Sequence, residues 1–182
     1  SSSNSIESYS RFVINALELY DLENLSLCGH SMGGLVALDM ISNHNFHAKS
    51  LILVNSIYPT KVADILLDKA KSGNGDAADF IIKYGLHRRL LGIKNAFSEE
   101  EALVMLDDLE ACNNYQLDLN NLKNVGIPVS IILGSKDRLV DSKAVENFTA
   151  IVPSDIYMMN DVGHFSFFED PTELSKLISK IV

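Results

Sequence analysis

Cysteine is scarce in this 182-residue chain: there are two, Cys28 and Cys112, and they form no C-x-x-C pair. That excludes a disulfide scaffold and a cysteine-rich metal site, and both thiols are expected to be buried. Positive charge is also short. Fifteen Lys and Arg face 24 Asp and Glu for a net charge of −9, so no extended basic surface is available for a polyanion and nucleic acid is not an expected partner. No apolar run approaches the roughly 18 residues of a spanning helix, so no membrane partner is expected and the chain reads as soluble. Internal repeats and low-complexity tracts are missing as well. The opening Ser1-Ser2-Ser3-Asn4 has neither an initiator Met nor a charged-then-apolar leader, so the natural start is expected upstream, and the compartment is taken as cytoplasmic. What the chain does have is a globular composition, 47% apolar and 21% charged, sufficient for one domain with a single core.

Apolar positions Phe12, Val13, Ala16, Leu17 and Tyr20 fall at helical spacing from Ile6 onward and predict an amphipathic helix ending near Asp21. Leu25 to Cys28 reads as a short strand, followed by a tight turn at Gly29 and a helix through Leu35, Val36, Leu38, Met40 and Ile41. Ser50 to Asn55 and Pro128 to Gly134 are unbroken aliphatic runs, as expected of parallel strands buried on both faces. A fourth strand is expected at Asp155 to Met159, and a last helix from Asp170-Pro171, with Asp as cap and Pro in the first turn. Between Ser56 and Asn121 the strand signal vanishes. Helices are expected there at Val62 to Lys71, at Ala77 to Tyr84 and after Ser98, where Ser98 and Glu101 form a capping box. Ser72-Gly73-Asn74-Gly75-Asp76 reads as a loop within this helical stretch.

The chemistry-bearing residues cluster around the strand ends. Gly29-His30-Ser31-Met32-Gly33-Gly34 contains G-x-S-x-G directly after a strand and before a helix, where a sharp turn lifts a serine hydroxyl clear of the sheet and glycines on both sides avoid collisions. Ser31 is the candidate nucleophile and the Met32 N–H a candidate oxyanion donor. A serine hydroxyl needs a base within hydrogen-bond reach and a third group to orient that base. Asp137, in Gly134-Ser135-Lys136-Asp137, and His164, in Gly163-His164-Phe165, both follow strands at the same end of a parallel sheet. They are the candidate acid and base. Asp161 and Asp141 compete for the acid's role. His44, His47 and His87 follow no core strand and are expected to be solvated, whereas His30 is expected to line the pocket or pack beside the turn.

These motifs, with Phe168-Glu169-Asp170-Pro171 after them, resemble the α/β-hydrolase superfamily, in its branch with a helical cap. The resemblance covers nearly the whole chain. It implies an α/β-hydrolase fold: a mostly parallel sheet flanked by helices, with core at residues 1–55 and 122–182 and a cap inserted at 56–121. The segment Leu109 to Tyr115 ahead of Ile127-Pro128 is similar to the cap-to-core return of small bacterial esterases. A serine at the elbow disfavours dehalogenase, epoxide hydrolase and dienelactone hydrolase chemistry, which use Asp or Cys there. The implied activity is hydrolysis of a small ester-like substrate through an acyl-enzyme, without cofactor or metal. Two alternatives are a non-hydrolytic small-molecule receptor of the same fold and a C–C bond hydrolase.

The substrate is expected to meet His30, Phe80, Tyr84 and Phe165, with Leu66, Ile81, Leu90, Leu91, Phe97 and Met105 adding apolar cap surface. The family's sheet has strands before the elbow, so the resemblance further implies that the N-terminal third is absent. The second oxyanion donor would lie there, the elbow strand would become an exposed edge, and the chain alone would be weakly active.

Overall fold

The computed structural model describes residues 4–20, 22–73, 75–88 and 99–182, with the side chains of 99–103 left aside. Leu90, Leu91, Phe97 and the expected Ser98–Glu101 capping box lie outside the described residues. Ser5 opens α1 (Ile6–Leu17) through a reciprocal capping box with Ser8. The helix stops before the expected Asp21, because Leu19 and Tyr20 find no core and stand 82% and 66% exposed.

Four strands form one parallel sheet in sequence order: β1 (Ser26–His30), β2 (Ser50–Val54), β3 (Val129–Gly134) and β4 (Asp155–Met159). The uninterrupted aliphatic runs fall on β2 and β3, every residue of which is buried. Sheet position accounts for it: both have a strand on either side and helices above and below, as parallel sheets require. β1 and β4 are the edges, and their exposure pattern is mixed. Cys28, expected to be buried, is exposed for this reason, while Cys112 is buried.

Helices pack on both faces. On one, α2 (Met32–His44) lies against α1, with Leu35, Leu38, Met40 and Ile41 buried, and ends at Asn45 in the left-handed conformation that commonly closes a helix. On the other, α9 (Pro171–Ile181) covers β4 after the short α8 (Ser166–Glu169); Asp170 caps α9 by accepting the Glu173 N–H, as the Asp-Pro signal predicts. α7 (Ser142–Ile151) joins β3 to β4.

The stretch between β2 and β3 is helical among the described residues: α3 (Asp64–Lys71), α4 (Asp76–Gly85), α5 (Glu99–Asn114) and α6 (Leu119–Val125). α6 continues past Asn121 and packs on α2 and α7, within the core layer rather than over the strand ends. His44 departs from the solvated expectation. Its Nε2 lies 3.1 Å from Oδ2 of the fully buried Asp39, whose Oδ1 also accepts from the Tyr115 hydroxyl at 3.0 Å and from Asn43 at 2.7 Å. His47 and His87 are exposed, as expected.

Candidate active site

Strand direction assembles the site. In a parallel sheet all carboxyl ends point the same way, and loops leaving them gather ligand-facing residues on one edge. β1 runs into the turn at Ser31, which adopts φ 50 and ψ −123, a conformation outside the regular regions for a side chain with a Cβ. Main-chain bonds hold it there. The Ser31 N–H donates to Val54 O at 3.1 Å, while Ser31 O accepts the Gly34 N–H at 2.9 Å and the Ser56 hydroxyl at 2.7 Å. A Cβ on Gly29 would strike Gly33 O and stand 2.6 Å from Gly34 Cα; one on Gly34 would strike Ser56. Gly33 differs: a Cβ there meets nothing within 4 Å among the described residues. The expectation that glycines on both sides of the serine are sterically required is thus met by Gly29 and Gly34 rather than by Gly29 and Gly33.

The three residues singled out across 133 positions come together. His164 Nε2 lies 3.0 Å from Ser31 Oγ, and His164 Nδ1 lies 2.9 Å from Asp137 Oδ2. Asp137 Oδ1 accepts the N–H groups of Leu139 at 2.8 Å and Val140 at 3.2 Å, and Oδ2 also accepts from Asn55 Nδ2 at 2.9 Å. Burial by itself pushes the Asp137 carboxyl up, but the bonds from His164, Leu139 and Asn55 outweigh it and hold it below the usual carboxylate range. The carboxylate form is therefore the one placed beside His164.

The competitors bond to groups other than His164, Asp141 from the wall of the cavity beside Ser31. Asp161 is in the left-handed region at φ 54, its carboxylate 3.8 Å from Lys136 Nζ and its N–H donating to Ser135 Oγ. Asp141 caps α7 by accepting the Lys143 N–H at 3.0 Å.

Burial pushes the His30 imidazole down to about 4, outweighing its bond to the His164 carbonyl; it is neutral at neutral pH. A neutral imidazole facing a carbonyl must donate, so the 2.8 Å contact from His30 Nε2 to His164 O fixes the proton on that nitrogen. Its ring packs edge-on against Phe167, 4.8 Å between centroids.

Ser31 and His164 open onto a cavity of about 480 Å³ whose lining is mainly apolar. Met32, His30 and Phe165 line it from the strand-end side, and Leu66, Phe80 and Tyr84 from α3 and α4. Met105 is buried but does not line it. Cys112 does, and burial pushes its thiol up to about 12, which leaves it protonated and unreactive.

Asn55 was not legible in the sequence as more than a strand end. It is fully buried at φ 46, and its amide bridges Asp137 Oδ2 and Gly163 O, tying the acid loop to the histidine loop. The signal that could have found it is its place: an amide ending an otherwise aliphatic run.

Comparison with known proteins agrees with this architecture. A thermophilic esterase superposes with a TM-score of 0.83 at 22% identity, over 98% of this chain and 73% of that one. An esterase from Exiguobacterium antarcticum also gives 0.83, at 16% identity over 99% and 74%. An enol-lactonase from Burkholderia xenovorans gives 0.73, at 17% identity over 97% and 72%. At these identities the likeness is one of fold. An uncharacterized protein of Mycobacterium tuberculosis is 23% identical over 209 residues, and the chain spans 61% of its length. The family model described as "Alpha/beta hydrolase family" matches residues 2–177, nearly the entire chain. With its parallel sheet, its strained turn after β1 and this match, the chain belongs to the alpha/beta hydrolase family.

Proposed function

We propose that the chain is a serine hydrolase that cleaves small carboxylic esters through an acyl-enzyme, with Ser31 as nucleophile, His164 as general base and acid, and Asp137 as the group that orients the imidazole. The observation that carries this reading is the unbroken relay from Asp137 through His164 to Ser31, at 2.9 and 3.0 Å, ending at a hydroxyl on the wall of an apolar cavity. Asp137 receives the proton-bearing Nδ1, which leaves the Nε2 lone pair facing Ser31 Oγ. Oγ attacks the ester carbonyl carbon as its proton passes to Nε2. The carbonyl oxygen becomes an oxyanion, for which the Met32 N–H is one donor. Collapse expels the alcohol, which takes the proton from Nε2. Water then attacks the acyl-enzyme by the same route and releases the acid and Ser31.

In this reading α3, α4 and α5 act as a cap, inside the expected bounds 56–121, while α6 belongs with the core that residues 1–55 and 122–182 supply. Phe80, Tyr84, His30 and Phe165 surround the substrate's apolar group, in keeping with their place around the cavity. Stopped-flow hydrolysis of a p-nitrophenyl ester tests the mechanism. A burst of nitrophenol and labelling by a fluorophosphonate probe are expected, both lost in Ser31→Ala. Binding without turnover would instead identify a receptor, and labelling that survives Ser31→Ala would remove the serine from the mechanism.

A further inference from the structure

The helix that walls the cavity and the loop that carries His164 are joined by contacts the proposed chemistry does not use. Glu169, the last residue of α8, is 6% exposed, yet its carboxylate accepts three main-chain N–H bonds. Gly163 donates to Oε1 at 3.0 Å; His87 and Arg88 donate to Oε2 at 3.2 and 2.9 Å. The Arg88 guanidinium reaches the carbonyl oxygens of Glu169 and Asp161 and lies 3.6 Å from Asp170 Oδ2, so the carboxylate's own bonds are to main-chain donors.

Those donors come from two separate segments. Gly163 directly precedes His164, whereas His87 and Arg88 follow the end of α4 at Gly85. The two segments also meet without an intermediary, since the His164 N–H donates to Gly85 O at 2.6 Å. Packing between them leaves no slack. A Cβ on Gly163 would strike Gly85 O and stand 2.7 Å from Glu169 Oε1, and one on Gly85 would stand 2.7 Å from the Phe165 ring. The buried Gly163 N–H requires an acceptor, and the side chain that supplies it also accepts the partly buried N–H groups of His87 and Arg88.

We propose that Glu169 is a positioning residue of the active site: it clamps the His164 loop to the end of α4 and thereby sets the distances from the imidazole to Ser31 and Asp137. It touches neither substrate nor reacting atoms. The inference rests on the proposed roles of Ser31 and His164. Its consequence is that the helix bearing Phe80 and Tyr84 and the loop bearing the base are held as one unit. The rate is sensitive to that unit, since a misplacement of about 1 Å can cost roughly a hundredfold.

Glu169→Gln tests it. The amide keeps the size, but one of its two arms must present an NH₂ group to an N–H donor. Two readouts are taken on the folded variant: the downfield proton resonance of His164 Nδ1–H, identified by its loss in His164→Ala, and kcat and KM for a short activated ester. The resonance should shift or broaden, kcat should fall by about tenfold or more, and KM should stay within about threefold. Glu173→Gln, a half-exposed position in the first turn of α9 whose carboxylate faces Lys176, should change neither. Should the glutamine variant not fold, Glu169→Asp, which keeps both acceptors but withdraws them, is read by the same two measurements. A resonance left in place together with kcat within about threefold of wild type overturns the proposal, as does an equal loss in Glu173→Gln. The resonance needs no substrate: an inactive wild type whose resonance still responds to Glu169→Gln would refute the hydrolase reading and leave the clamp standing.

Discussion

Asp137 sits where its charge is held by four donors, and both its shape and its charge have consequences. Replacing it with Asn preserves shape but offers an NH₂ to His164, so the imidazole is steered to the wrong tautomer. Asp137→Asn is expected to lower kcat by about 10⁴-fold with little effect on KM, measured on an activated ester; a larger loss in Asp161→Asn would reassign the acid. The same side chain gives a pH signature. Its folded-state pKa is depressed below the ordinary 3.8, so its contribution to stability is complete above that value and is lost as pH falls through the lower, folded value. The melting-temperature gap between wild type and Asp137→Asn should therefore be constant near neutrality and close in strongly acidic buffer. A gap that widened on acidification would contradict the depressed pKa.

At the scale of an element, the turn into α2 separates two glycines that look equivalent in G-x-S-x-G. Gly29→Ala forces a Cβ into the backbone of Gly33 and Gly34, which cannot yield without opening the elbow, and should cost about 3 kcal/mol or more. Gly33→Ala meets nothing within 4 Å and lies inside the first turn of α2, so it should be neutral or stabilising by up to about 1 kcal/mol. Thermal or urea unfolding of the two variants decides between this and equal damage.

α4 carries a different expectation. Phe80 and Tyr84, with ring centroids 4.4 Å apart, wall the cavity, and each methylene buried there is worth about 0.8 kcal/mol, or roughly fourfold in kcat/KM. Phe80→Ala and Tyr84→Ala should extend this gain to longer acyl chains while altering the rate with the shortest ester least. Uniform loss at all lengths would mark a folding defect instead.

Across the whole molecule, the helices between β2 and β3 are anchored to the core through a buried polar cluster. Tyr115, just past α5, donates to Asp39 on α2, a carboxylate with no exposure that also faces Asn43 and His44. Burial and the adjacent Asp39 push the Tyr115 hydroxyl well above its ordinary value, so it remains a donor. Tyr115→Phe removes that donor from a buried acceptor and should cost about 1 to 3 kcal/mol in urea unfolding. Unchanged stability would mean that the cluster does not anchor these helices.

Sequence alone was enough for the strands, the elbow and the choice of Ser31, Asp137 and His164 as side chains that come within hydrogen-bond reach, because each rests on local chemistry: unbroken aliphatic runs, a Gly-flanked serine between strand and helix, polar residues directly after strands. Local signals failed where a neighbour distant in the chain decides the environment. Cys28 sits in an apolar run but is exposed, because β1 lies at the sheet edge. His44 reads as a helix-end residue in solvent, yet it is half-buried, with its ring against the fully buried Asp39. Asn55 looks like the end of a strand until the parallel register brings the loops after β3 and β4 alongside it, so that its amide binds both. Glu169 lies close to His164 in sequence, but two of its three donors are more than 80 residues away, across a contact that exists only once α4 has docked. Hydrophobic period and turn chemistry are properties of neighbouring residues and survive in the unfolded chain; convergence of donors on a buried carboxylate is a property of the packed molecule alone.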